Sequence, residues 1–180
     1  RNFFGLYGHI KSADQVAWEP YLLFEHDKNS GAGRMKRATL GVHATGDFAG
    51  ATGHSFGYKV ESAYQTGDLG VQNVNAWMAT GALSYTSPSW YRHKVVLGAD
   101  VLSGDDDPAA GDYKVFDTLF TTNHKFYGFM DFFLNIPANT GQQGLVDLML
   151  KGEMKVAANA KLALHLHNFS LFEGNSKKLG

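Results

Sequence analysis

The feature that most constrains this chain is an alternation of period two, sustained over segments longer than ordinary soluble strands. In residues 37–48 one set reads Arg37, Thr39, Gly41, His43, Thr45 and Asp47, and the other Ala38, Leu40, Val42, Ala44, Gly46 and Phe48. Successive side chains of a strand point to opposite faces, so this segment has one polar and one apolar face. It exceeds the ~5–6 residues of a typical soluble strand and suits the ~9–11 residues with which a tilted strand crosses a bilayer.

The pattern returns along the chain. Residues 15–27 set Val16, Trp18, Leu22 and Phe24 against Glu19 and Glu25. Residues 54–66 set Phe56, Tyr58, Val60 and Tyr64 against Lys59, Glu61 and Gln65, and residues 74–85 set Trp77, Ala79, Leu83 and Tyr85 against Met78, Thr80 and Ser84. Residues 92–102, 145–153 and 160–169 continue it, with Leu97, Leu148, Leu150, Leu162 and Leu164 on apolar faces; residues 2–10 make one more strand. Pro20 removes a ladder donor and predicts a bulge or strand end. The sum is about eight antiparallel strands. Glycine and alanine mix into the apolar faces, and Trp18, Tyr21, Tyr58, Tyr64, Trp77, Tyr85, Trp90 and Tyr91 stand where interfacial girdles belong. The competing architecture is a soluble barrel or sandwich, serving as a surface binding or structural module, whose apolar faces turn inward.

Composition narrows the function. A chain of 180 residues makes one domain, 1–180. A net charge of -1 offers no basic surface for nucleic acid. No apolar run reaches the ~20 residues of a membrane helix. A slightly negative mean hydropathy is compatible with strands that turn only every second residue to lipid. There is no cysteine, in keeping with passage through an oxidising periplasm. The chain opens on Arg1 without a leader, so a removed leader or missing ends are expected.

Short connections are expected near 11–14, 49–53, 87–91 and 155–159, and longer polar ones at 28–36, 67–73 and 103–144. With short turns periplasmic and long loops outside, residues 126–133 belong to the 103–144 loop, folded into the lumen or across the mouth. The first strand then starts outside and the last ends outside, which reads as an interior slice of a larger barrel.

Within that loop stand Ser103-Gly104-Asp105-Asp106-Asp107-Pro108, then Phe116-Asp117-Thr118-Leu119-Phe120, then Asn123-His124-Lys125-Phe126-Tyr127-Gly128-Phe129-Met130-Asp131. This wording resembles the alginate-export family of outer-membrane proteins, with Thr122 where a proline is expected before Asn123. The resemblance implies a large monomeric barrel in the bacterial outer membrane, passing a hydrophilic solute or anionic polysaccharide. Its partners would be the lipid bilayer, the solute and other envelope proteins.

A polyanion conduit favours cations on its wall, but here the signs nearly balance. The residues expected to contact lumen or solute are Arg37, His43, Lys59, Glu61, Lys151, Glu153, Lys161, His165 and His167, with Arg37, Lys59, Lys151 and Lys161 as a basic constriction. His124, Lys125, Tyr127 and Asp131 are the expected outer-loop gate. Asp105, Asp106, Asp107 and Asp112 form an acidic cluster suited to calcium, though without the regular spacing of an EF-hand; otherwise no cofactor is expected. His165 and His167 share a face and would need a third ligand to hold a transition metal. No nucleophile elbow, phosphate loop or metalloprotease helix motif is present, so the chain reads as a non-enzyme.

Overall fold

The fold is seen in a computed structural model that describes residues 1–12, 15–30, 33–107, 109 and 111–174. It is one antiparallel meander of nine strands: β1 (Asn2–Tyr7), β2 (Ile10–Ser12), β3 (Val16–Ser30), β4 (Gly33–Ala49), β5 (Ser55–Leu69), β6 (Gln72–Thr86), β7 (Lys94–Leu102), β8 (Leu145–Ala157) and β9 (Ala160–Ser170). β1 and β2 both pair with β3, and each later strand pairs with the next. The sheet therefore has the eight expected places, the first filled by an interrupted strand. It is open, with no pairing between β1 and β9 among the described residues.

The interruption has a cause in Pro20. A residue of an antiparallel strand directs its N–H and C=O at the same neighbour. The Pro20 carbonyl accepts from the Gly8 N–H at 2.8 Å, so the missing N–H is the one that would have met the first strand. Pro20 itself stays within β3, and the break falls between β1 and β2, not at the proline.

Register fixes the two faces. One row across the apolar face runs Leu22, Leu40, Tyr64, Trp77; the row beside it on the opposite face runs Tyr21, Gly41, Ala63, Met78, Leu102, Leu145. The apolar face is uncovered: Leu40 is 62% exposed, Leu83 66%, Leu97 62% and Leu164 61%, with Phe4, Phe24, Val60, Leu148, Leu150 and Leu162 exposed beside them. Burying one such side chain is worth ~1.5–3 kcal/mol, and soluble monomers rarely show apolar patches beyond a few hundred Å². A soluble sandwich would have turned these residues inward. Here they face out, the surface a bilayer covers.

Aromatic rings bound that surface. Phe48 stacks on Tyr58, and Phe56 packs on Tyr85, at one end; Tyr64 pairs with Trp77 at the other. Phe56 and Tyr64 are eight residues apart on one strand, ~26 Å at ~3.3 Å per residue, which at a tilt of ~35–45° spans ~19–21 Å of height, within the ~25 Å apolar band of outer-membrane barrels. Tyr21 does not join this girdle; it lies on the opposite face.

Two connections differ from expectation. Pairing extends into 28–36, where Ser30 pairs with Gly33 after a register shift, and through 67–73, where Leu69 pairs with Gln72 across a tight hairpin. These stretches are polar because their strands extend beyond the apolar band, where the ladder continues but no lipid selects for apolar side chains. Gly31 and Ala32 lie outside the described residues, as do Ala13 and Asp14 of the expected 11–14 connection. At the other end the connections are short, around a 3-10 turn at Ala51–Gly53 and at 87–93 and 158–159.

The long connection 103–144 folds back over the polar face. It contains a 3-10 turn at Asn123–Lys125 and a single helical turn α1 (Ile136–Asn139), where Asn135 caps the Ala138 N–H. Phe116, Tyr127, Phe133 and Ile136 from this segment form the buried core with Ala63, Ala76, Leu102 and Leu145 from the sheet. The hydrophobic core is thus the seat of a plug on the inner face, and small strand residues make room for it. At the neck, Gly144 has φ +70°, and a side chain there would strike the Leu102 carbonyl 2.4 Å away. Only glycine lets the two ends of the loop cross so closely.

Candidate conduit face and its plug

The polar face divides into an upper part covered by the loop and a lower part left open. The covered part is held by side-chain bonds to loop backbone. Gln65, fully buried, donates from Nε2 to the Asp117 carbonyl at 2.7 Å and to Thr39 Oγ1 at 3.2 Å, while its Oε1 accepts from the Asp117 N–H at 3.0 Å. One amide thereby satisfies both backbone groups of a loop residue. Arg37, also buried, donates through one nitrogen to Glu25 at 2.6 Å and to Asp117 at 2.9 Å. Arg1 adds a second cation to Glu25, with Nε at 2.8 Å.

The loop holds itself together in the same way. The Ser103 hydroxyl donates to the Lys114 carbonyl at 2.7 Å and accepts from the Trp77 N–H at 2.9 Å. Asp105, buried, accepts from the backbone N–H groups of Asp107 and Lys114 at 3.1 and 3.3 Å. Asn123, buried, donates to Thr118 Oγ1 at 2.9 Å and the Leu134 carbonyl at 3.0 Å. Burial raises the Tyr127 phenol pKa, and Asp100, Asp147 and Glu61 add to the effect. Burial likewise pushes Tyr113 up to about 12, with Asp117 contributing. Both phenols stay neutral.

Below the plug lies a cavity of about 790 Å³. Its wall carries Lys59, Lys94, Lys125 and Lys151 among the cations, and Asp47, Glu61 and Asp100 among the acids. The strand surface between Lys59 and Lys151 bears Ala82, Ser84 and Gly98 together with Val96 and Met149, the last packing over Gly98. Glu61 accepts from the Tyr21 hydroxyl at 2.6 Å, and Tyr21 reaches it by lying across Gly41, where any side chain would fall 2.2 Å from its ring. Glu19 is flanked by His9 at 3.0 Å and His43 at 2.8 Å. Lys59, Lys94 and Lys151 make no ion pair or side-chain hydrogen bond among the described residues.

The expected site residues therefore separate. His43, Lys59, Glu61, Lys125, Tyr127 and Lys151 line this cavity. Arg37 is an anchor rather than part of a constriction, because Glu25 and Asp117 occupy it. His167 is half-buried beside the buried Asp147, its Nδ1 donating at 2.7 Å, and His165 stacks on Phe129 of the loop. Glu153 and Lys161 lie exposed near the turn end and do not line the cavity, although Glu153 is the strand partner of Lys94. Of the expected gate, His124 and Asp131 pair with each other on the exposed side, whereas Tyr127 is buried and Lys125 faces the cavity. The acidic cluster does not assemble. Asp106 pairs with Lys114, Asp112 accepts from Asn73 and Asn75, Asp105 turns inward, and no group of three metal-ligating side chains forms among the described residues. Lys94 and Asp100, which alternation also puts on the polar face, line the cavity, and Gln65 and Tyr21 are residues of this face outside the expected set. Each occupies the inward parity of its strand, and that was their signal.

An antiparallel sheet with an exposed apolar band between aromatic tiers, a charged opposite face and a loop folded onto that face defines the class: a transmembrane β-barrel of the outer membrane. The chain belongs to the alginate-export family, whose model matches residues 1–177, and the family comprises outer-membrane channels of Gram-negative bacteria. No curated protein and no solved structure gives a significant match.

Proposed function

We propose that the lower part of the polar face is the wall of a conduit for an anionic polysaccharide, and that the 103–144 segment sets its narrowest point. The observation that carries this reading is a set of lysines, Lys59, Lys94 and Lys151, that make no hydrogen bond or ion pair among the described residues and line one cavity beneath the plug. An ammonium group held in no ion pair can meet the carboxylates of a passing uronate chain, and weak, repeated contacts allow entry without trapping. Lys125, on the loop, brings a fourth ammonium to the same space. Transport on this wall is passive.

The test is ion selectivity of the full-length protein in planar bilayers. Replacing Lys59, Lys94 and Lys151 together with glutamine leaves Asp47, Glu61 and Asp100 as the dominant charges of the wall. The reversal potential in a salt gradient should swing toward cation preference, and block by oligouronate should weaken at least tenfold. An unchanged reversal potential and unchanged block would remove these lysines from the conduit.

A further inference from the structure

The outward end of the apolar face carries a cluster that the conduit does not use. His26, Arg34 and Lys36 share the even parity of β3 and β4 that turns Phe24, Ala38 and Leu40 outward, and Lys28 stands with them just past Asp27. Arg34, Lys28 and Lys36 all lie close enough to His26 to act on it electrostatically. Arg34 Nε donates to His26 Nε2 at 3.3 Å, which orients the guanidinium along the face and leaves its terminal nitrogens free. Lys28 and Lys36 have no ion pair among the described residues, although Asp68 is the strand partner of Lys36. The cluster continues the apolar surface directly: Phe24, Leu22 and Leu40 lie below it on the same strands, and Phe24 and Leu40 are exposed.

From this juxtaposition we infer that the β3–β4 hairpin binds the phosphate groups of outer-leaflet glycolipid, of the lipid A type. A ligand that fills this surface must place acyl chains against Phe24 and Leu40 and an anion against Lys28, Arg34 and Lys36 at once. Guanidinium and ammonium groups suit phosphate oxygens, and basic clusters beside a membrane-spanning surface attract anionic headgroups. A soluble polyuronate offers the charge but nothing for the apolar rows, and the patch lies on the opposite side of the sheet from the cavity. The inference rests on the outer-membrane reading, with the loop end outward. It does not depend on which solute the conduit passes.

The experiment is native mass spectrometry of the detergent-solubilised full-length protein, titrated with diphosphoryl lipid A, with its dephosphorylated form, with phosphatidylethanolamine and with a hexauronate. The wild type should retain diphosphoryl lipid A at least tenfold better than the other lipids. The variant K28S/R34S/K36S should lose that preference, by a factor on the order of 100 for three cations at an anionic surface. A control removing equal charge at the turn end, K11S/R92S/K155S, should keep the preference. The patch variant should also keep the wild-type reversal potential, which separates this inference from the conduit lysines. Equal retention by wild type and patch variant, equal loss in the control, or displacement of lipid A by the hexauronate would overturn it.

Discussion

Gln65→Leu isolates the bond between barrel and plug. Leucine has nearly the same volume, and strand pairing of β5 runs through its backbone, so the sheet itself is untouched. The Asp117 N–H and C=O, however, lose their partners at 3.0 and 2.7 Å. Leaving a buried backbone group unpaired costs ~1–3 kcal/mol, and two such groups amount to ~2–6 kcal/mol of plug attachment. At about 1.4 kcal/mol per tenfold, the ratio of seated to released loop should fall by roughly 30-fold to 10⁴-fold. Amide hydrogen exchange of the full-length protein in micelles reads this directly, since the Asp117 N–H has Gln65 Oε1 as its acceptor. Exchange in the peptide around residue 117 should accelerate by that factor, while peptides from β4, β5 and β6 keep their protection. Exchange around residue 117 within twofold of wild type, in an intact barrel, would mean that the apolar cluster alone seats the loop and that the amide clamp contributes nothing.

Two other outcomes follow from the same geometry. Val60→Arg places a charge midway between Phe56 and Tyr64 on the exposed apolar face, and should cost ~2–4 kcal/mol of folding stability in lipid; Ala82→Arg, on the conduit face beside Lys59, should leave the urea midpoint nearly unchanged and alter conductance instead. Because Tyr113 is neutral in the folded loop up to about pH 12 while an unfolded tyrosine ionises near ~10, its contribution to loop stability is full below ~10 and is lost as pH rises toward about 12; phenolate absorbance at equilibrium should show this late titration, and Tyr113→Phe should abolish it.

Strands and faces were legible in the sequence because lipid imposes its demand locally. Leu40, Val42, Leu148 and Leu162 must face outward whatever else the chain does, and period two records that residue by residue. Hairpin length was less legible. Polar residues such as Lys36 and Asp68 read as loop, yet they sit in paired strands beyond the apolar band, where polarity and pairing are no longer linked. Tyr21 was misassigned to the girdle on its residue type, although its parity placed it inside; Gly41, the gap that accepts its ring, is informative only once register is known. The plug was legible as a segment but not as an anchor system. Gln65 and Asp117 are separated by 52 residues, and no local pattern brings them together. The most distinctive words of the loop, Ser103, Asp105, Phe116, Asp117, Asn123 and Tyr127, prove to be the residues that fasten it.

The near-balance of charge in the sequence also resolves once partners are assigned. Counting signs along the polar face suggests a wall indifferent to a polyanion. Structure sorts those signs by availability. Glu25 and Asp117 share Arg37; Glu19 is bracketed by His9 and His43; Asp147 is buried and bonded to His167; Glu61 accepts from Tyr21. These acids have fixed donors, and most of them lie under or beside the plug. A carboxylate paired with a guanidinium at 2.6–2.9 Å presents mainly a local dipole, whereas Glu61, bonded to a neutral hydroxyl, keeps its charge, and an ammonium outside any ion pair acts across the ~8–10 Å that salt permits. Asp47 and Glu61 remain on the open wall, with Asp100 buried in it, but the lysines there have long flexible stems that can reach into the cavity, while the aspartates are shorter. A wall can therefore hold almost equal numbers of both charges and still offer a passing polyanion chiefly cations.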